Sequence, residues 1–298
     1  MNQLGKSDLY ISPVAFGCMS LGENQKANTD MLLKAADHGI NFFDTADLYQ
    51  KGLNEAYVGE ALKPIRKQVV IATKAGNQWR ADGSVWDWNP SKDYILKCAE
   101  QSLKRLKTDY IDLYQLHGGT IDDPIDETIE AFEQLKQQGK IRWYGISSIR
   151  PNVIREYIER ANIVSVMMQY SLLDHRPEES VLDLLGAHQI SVISRGAIAQ
   201  GLLTGKTAVS YLQYTESEVA RAAKAVAGIA REIGVSSLDV ALRYIWSHPA
   251  VATAALGIRT PAQLDEAIDA GKTARGLTEI QRQRLRGSVR DFHYELHR

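Results

Sequence analysis

The chain has 298 residues, of which 44% are hydrophobic and 24% charged, with a formal net charge of -1. That length and apolar content suit a single α/β barrel with a large core, and the near-neutral charge gives no electrostatic reason to expect nucleic acid or an anionic membrane as partner. No apolar stretch approaches the ~18 residues of a membrane span, and the opening MNQLGKSDLYIS lacks the apolar core of a signal peptide.

In chain order, the first twelve residues, with LGKSDL, predict a small hairpin able to plug one end of a barrel. Eight short apolar runs then predict strands: PVAFG (13–17), INFFD (40–44), VVIAT (69–73), YIDLYQL (110–116), RWYGIS (142–147), VSVMMQ (164–169), SVIS (191–194) and VATAAL (251–256). Amphipathic segments follow them at 28–38, 54–63, 91–106, 125–138, 151–160, 178–188, 237–247 and 261–271. In 91–106, Ile95, Cys98, Ala99, Ser102, Leu103 and Leu106 share one face, and Ser91 after Pro90 suits an N-cap. In 125–138, Ile125, Ile129, Phe132 and Leu135 share a face, with Gly139 placed to end the helix. Segments 216–233 and 278–287 are helical patterns surplus to the repeat. The longest irregular stretch is 75–90, AGNQWRADGSVWDWNP, whose Trp79, Trp86 and Trp88 are candidates to line a pocket. Cys18 and Cys98 sit inside apolar patterns and are expected as buried thiols in a reducing cytoplasm. Eight strand–helix units without a domain break, and without a GxGxxG turn, predict one (β/α)8 TIM barrel over 1–298, with an N-terminal hairpin and two extra helices.

Barrels of this kind work at the C-terminal ends of their strands. Here Asp44 closes INFFD, Tyr49 follows five residues on, Lys74 closes VVIATK, and His117 closes YIDLYQLH. An ammonium near a phenol favours the phenolate and lowers its pKa; a carboxylate balances the ammonium; an imidazole orients an oxygen or assists proton delivery. The set suits protonation of an oxygen becoming an alkoxide. A buried lysine without a role would cost several kcal/mol. No HExxH or CxxC metal pattern, GxSxG elbow or Walker A loop competes with this. The remaining strand ends carry Ser147 and Ser148, Gln169, Ser194 and Arg195, and Gly257 followed by Arg259.

From VAFGCMSLG to LGIRTPAQLDEA, the chain resembles the aldo-keto reductases. INFFDTADLY, IATKAG and DLYQLHG resemble the family's segments carrying the catalytic Asp, Tyr, Lys and His. The resemblance implies a barrel binding NADP(H) and reducing a small carbonyl substrate, with Tyr49 as general acid, Lys74 lowering its pKa, Asp44 pairing the lysine and His117 orienting the carbonyl. KIRWYGISS and MMQYSLL imply that Ser147, Ser148 and Gln169 hold the nicotinamide carboxamide. RGAIAQGLLTGK implies Gly201, Leu202, Thr204 and Lys206 along the pyrophosphate, with Ser194 and Arg195 on the cofactor. Gly257, Arg259, Gln263 and Glu266 would hold the adenosine end, and the Arg259 guanidinium favours the 2′-phosphate of NADPH.

Three positions depart from the family pattern. Ser148 is a shorter donor than the usual Asn or Arg. Arg195 stands where an aromatic ring usually stacks on the nicotinamide, and its charge is expected to disfavour the oxidised ring. Ala267 replaces an asparagine used on the adenine. The alternative is a cofactor-binding regulatory or interaction protein on the same fold, as with potassium-channel β subunits. The loops 18–26, 75–90, 118–124 and the C-terminal segment are expected to select the carbonyl. Neither the substrate nor the oligomeric state is legible.

Overall fold

The computed structural model of the chain describes residues 1–272 and 276–298. Its strands, in chain order, are β1 (Asn2–Gln3), β2 (Tyr10–Ile11), β3 (Val14–Gly17), β4 (Phe42–Asp44), β5 (Val70–Ala75), β6 (Asn77–Trp79), β7 (Trp86–Trp88), β8 (Ile111–Leu116), β9 (Ile141–Ser147), β10 (Ser165–Gln169), β11 (Ser191–Arg195) and β12 (Val251–Gly257). The helices are α1 (Gln25–Asp37), α2 (Leu53–Leu62), α3 (Lys92–Leu106), α4 (Ile125–Gln137), α5 (Pro151–Arg160), α6 (Val181–Ala187), α7 (Glu216–Ile233), α8 (Ser237–Trp246), α9 (Pro261–Lys272) and α10 (Glu279–Arg286). All eight apolar runs become the strands of one closed barrel, in the circular order β3-β4-β5-β8-β9-β10-β11-β12, with parallel pairing throughout. This is the predicted (β/α)8 barrel, with α7 and α10 as the surplus helices.

Alternation along each strand sorts side chains into two cores. Phe42, Val70, Ala72, Leu113, Met167, Ile193 and Ala252 point into the barrel. Phe43, Ile71, Tyr114, Ile146, Val166, Met168 and Val192 point outward to the helix layer. The antiparallel hairpin β1–β2 supplies Leu4, Leu9 and Ile11 to the interior cluster, which closes the end of the barrel away from the strand C-termini. The buried face of α3 is Ile95, Cys98, Ala99, Ser102, Leu103 and Leu106, as its periodicity predicts. Both cysteines are free and buried.

Two local expectations are corrected. Ser91 occupies the N-cap of α3, but its side chain does not cap the helix; its hydroxyl instead donates to Asn89 Oδ1 at 2.7 Å. The stretch 75–90 is not irregular: β6 and β7 pair antiparallel, with Trp79 opposite Trp86 and Asn77 opposite Trp88. Tryptophan and other aromatic residues suit such a pleated ribbon, a signal masked by the Gly, Asn and Asp around it.

Candidate active site

The same alternation builds the cleft. Because Phe42 and Ala72 face the interior, Asp44 and Lys74, two residues on, face it as well, at the top layer. Lys74 is fully buried. Its Nζ donates to Asp44 Oδ2 at 2.7 Å and to the Thr45 carbonyl at 2.8 Å. Gln115 of β8, not anticipated from the sequence, is also fully buried and its Nε2 donates to Asp44 Oδ1 at 3.4 Å. Tyr49 follows in a turn after β4, and its ring centre lies 5.2 Å from Lys74 Nζ. The imidazole of His117 meets the Tyr49 ring edge-on, with centroids 5.9 Å apart. The four residues named from strand ends thus share one cleft of about 680 Å³ at the strand C-termini.

Burial governs the electrostatics of the group. It lowers the Lys74 ammonium's pKa, but the charge of Asp44 and then Tyr49 outweigh it, so the lysine titrates above its usual range. Burial makes the Asp44 carboxyl less acidic than usual, with Lys74 and Gln115 acting against it. For Tyr49, burial raises the phenol above its ordinary pKa, opposed by Lys74. The expected lowering by lysine is therefore present as a pull but loses to desolvation, and the phenol keeps its proton at neutral pH. Burial, then Lys74 and Arg195, push His117 down to about 3. Its ring is neutral at neutral pH, so it can direct an N–H at an oxygen but is not an imidazolium acid. Its Nδ1 is buried with no hydrogen-bond partner.

Around the rim, Ser147, Ser148, Gln169, Arg195 and Gly257 all line the cleft. Gln169 Oε1 accepts from Arg195 Nη1 at 3.2 Å, while its Nε2 donates to Tyr211 Oη at 3.1 Å. Tyr211 was not anticipated; it enters from the loop before α7, where no periodic pattern marks it. Ser194 does not line the cleft. It sits between inward Ile193 and inward Arg195, so alternation turns it outward, where its hydroxyl donates to the Tyr170 carbonyl at 2.9 Å. Gly201, Leu202 and Thr204 lie in the kinked segment Ala199–Thr204, where Gly201 turns at φ +92°. Leu202 is buried in the core, which leaves only its backbone free for a ligand. Lys206, Arg259, Gln263 and Glu266 are exposed. Gln263 Oε1 accepts from the Arg259 amide at 2.8 Å. Ala267 is on the buried face of α9 and offers no polar group.

The cleft wall also contains Met19, Ser20, Leu48, Gly118, Gly119, Ile149 and Arg150. Loops 18–26 and 118–124 therefore contribute as expected, and Arg150, which donates to the Gly119 carbonyl, is an addition. None of the three loop tryptophans lines the cleft. Two of them brace it. Trp79 Nε1 donates to the Leu48 carbonyl at 3.3 Å, next to Tyr49. Trp88 packs on Gly76 and Gly118, where a Cβ would approach its ring to 2.6 and 3.0 Å at φ of +131° and +143°, and its Nε1 donates to Asp123 Oδ1 at 2.9 Å. The C-terminal segment is likewise outside the cleft; the Arg290 carbonyl accepts from Tyr214 at 2.9 Å and steadies the loop that carries Tyr211.

The site holds a neutral hydrogen-bonding imidazole, a protonated phenol and a buried ammonium, with amide and hydroxyl donors on the facing rim. That donor set suits a group rich in hydrogen-bond acceptors, such as a carboxamide. Comparison with known proteins agrees. Residues 13–287 match the model of the aldo/keto reductase family. The chain is 50% identical to the uncharacterized oxidoreductase YqkF of Bacillus subtilis (strain 168), across 99% of this chain and 98% of that one. It is 48% identical to an aldo-keto reductase from Bacillus halodurans solved in its holo form, with TM-score 0.88 and coverage of 99% and 98%. A more distant relative, 34% identical over 70% of each chain, is the NADH-specific methylglyoxal reductase of Escherichia coli (strain K12). Among the described residues no helix is long and apolar enough to cross a membrane. The chain belongs to the aldo-keto reductase family: it is an oxidoreductase on a (β/α)8 barrel, of the class that uses nicotinamide cofactors on small carbonyl substrates.

Proposed function

We propose that this chain is an NADPH-dependent reductase of aldehydes or ketones, acting in the cytoplasm as a single barrel domain, with Tyr49 as the acid that protonates the carbonyl oxygen. The observation that carries the reading is the contact set in one cleft: a phenol that keeps its proton, 5.2 Å from a fully buried ammonium and edge-on to a neutral imidazole. His117 would direct its N–H at the carbonyl oxygen and hold it beside Tyr49. As the oxygen gains negative charge, Tyr49 gives up its proton, and Lys74, anchored by Asp44 and the Thr45 carbonyl, steadies the phenolate that remains. Reduced nicotinamide, when bound, supplies the hydride. Ser147, Ser148 and Gln169 would receive its carboxamide, and for Gln169 this means exchanging its present bond to Tyr211 or Arg195. Gly201, Leu202, Thr204 and Lys206 would lie along the pyrophosphate, although the Gly201 amide at present donates to the Ile198 carbonyl at 2.9 Å.

The preference for NADPH rests on Arg259, an exposed guanidinium at the adenosine end that suits a phosphate dianion. Gln263, Glu266 and Gly257 would complete that end. Oxidation of NADPH and of NADH, followed by absorbance against a panel of aldehydes, ketones and sugars, tests the proposal. Turnover with at least one carbonyl and higher kcat/KM with NADPH is expected. No turnover across the panel would refute the reductase, and a clear NADH preference would refute the cofactor assignment.

A further inference from the structure

The turn that carries Tyr49 has a strained backbone. Gln50 and Lys51, the two residues after the phenol, are left-handed at φ +49° and +55°, and Gly52 follows at φ +89°. Residues with a Cβ disfavour this conformation, and it persists only where the surroundings impose it. Trp79 holds one part of the turn: Lys51 Nζ lies 5.2 Å from the centre of its ring, and its indole donates to the Leu48 carbonyl. The other hold is Asn54, the second residue of α2, which is fully buried.

The Asn54 amide bonds to three separate segments. Its Nδ2 donates to the Cys18 carbonyl at 2.9 Å and to Gln50 Oε1 at 3.2 Å, and its Oδ1 accepts from Thr45 Oγ1 at 2.7 Å. Each partner adjoins the site. Cys18 precedes Met19 and Ser20, which line the cleft. Gln50 follows Tyr49, and its own Nε2 donates to the Leu21 carbonyl at 3.4 Å. Thr45 follows Asp44, and its carbonyl accepts from Lys74 Nζ. The next residue of α2, Glu55, accepts from Thr73 Oγ1 at 2.5 Å, one place before Lys74. The start of α2 therefore ties together the loop 18–26, the Tyr49 turn and the strand ends that carry the Asp44–Lys74 pair. An apolar side chain at Asn54 would leave the Cys18 carbonyl without this donor and release the turn from it.

We propose that Asn54 is a positioning residue for Tyr49: through Gln50 it fixes the left-handed turn, and with it the phenol, relative to the loop 18–26 and to the Thr45 carbonyl that anchors Lys74. Neither Asn54 nor Gln50 lines the cleft. Their loss therefore misplaces the proton donor and leaves the β9–β12 side of the cleft, assigned to the cofactor, as it is. A proton donor displaced by a fraction of an ångström loses rate, not cofactor affinity.

This role rests on the reductase reading for its kinetic test but not for its exchange test. Asn54→Ala removes all three bonds. Gln50→Leu removes only the link to the turn, at an exposed position where folding is not at risk. Gln50→Glu keeps an acceptor oxygen for Asn54 Nδ2. In NADPH-dependent reduction of a small aldehyde, kcat should fall roughly tenfold or more in Asn54→Ala and about threefold or more in Gln50→Leu. The Kd for NADPH should not change in either, and Gln50→Glu should stay close to the wild-type rate. Hydrogen–deuterium exchange of the free protein, read over 45–52, should be faster than wild type in Asn54→Ala and Gln50→Leu but not in Gln50→Glu. The Gln50 pair decides the matter even where Asn54→Ala does not fold. A wild-type kcat in Gln50→Leu, equal losses in Gln50→Leu and Gln50→Glu, or unchanged exchange in Gln50→Leu overturns the assignment. A wild-type enzyme that reduces no carbonyl counts against the reductase reading, and the exchange data then judge Asn54 alone.

Discussion

On the β4–β5–β8 side of the cleft, Lys74, Asp44 and Gln115 are buried and bonded to one another, and Trp79 and Trp88 brace the adjoining loops from outside. On the β9–β12 side, Arg195, Gly257, Arg259, Gln263, Glu266 and Lys206 are exposed, and Gln169 is occupied by its neighbours Arg195 and Tyr211. The first region is a finished electrostatic unit. The second is a set of donors whose geometry a ligand would complete. A proton donor must be held in place before the carbonyl arrives, whereas a large anionic cofactor can bring its own charge and area to order exposed side chains.

The contrast predicts that substitutions in the two regions fail differently. Lys74→Met removes one partner of a buried pair and leaves Asp44 without its counter-ion, so it should cost about 3–5 kcal/mol of stability together with most of kcat. Denaturant unfolding measures the first effect, and a loss under about 1 kcal/mol would mean the pair is not buried as described. Arg259→Ala should leave stability unchanged and raise the KM for NADPH about tenfold or more while sparing NADH; equal effects on both cofactors would remove the 2′-phosphate assignment. Arg195→Trp replaces a cation with a neutral ring and should shift the ratio of NADPH to NADP+ affinity a few-fold, about 1 kcal/mol or less, toward the oxidised form. An unchanged ratio by titration would show that the charge of Arg195 does not discriminate redox state. On the β6–β7 hairpin, Arg80 and Asp87 are paired but over half exposed, so Arg80→Ala should leave the melting temperature nearly unchanged.

The inner region was the legible one in the sequence. Its residues end apolar runs, and a polar side chain at a strand terminus two places beyond an inward residue has only one way to point. The same rule, applied strictly, turns Ser194 away: it shares the strand end with Arg195, and neighbours on a strand face opposite sides. Gln115 could have been found by that rule, since it lies two residues beyond Leu113. Tyr211 and Arg150 could not, because they sit in loops where no period assigns direction. Neither could the sign of the Tyr49 shift. Residue types reveal that a lysine is near a tyrosine, but whether its charge or the loss of water prevails depends on how deeply both are buried. The hairpin at 75–90 was hidden by its turn residues, which mark a loop without revealing that the flanking tryptophans pair.

The role of Tyr49 as proton donor is open to one decisive measurement: steady-state reduction of a good carbonyl substrate by Tyr49→Phe, with the Kd for NADPH followed by fluorescence on the same preparation. The geometry predicts a kcat lower by about 10²–10⁴-fold with NADPH affinity nearly intact, because the lost hydroxyl serves the carbonyl oxygen and not the cofactor. A phenylalanine variant that turns over at the wild-type rate would contradict the assignment and move the proton source elsewhere in the cleft.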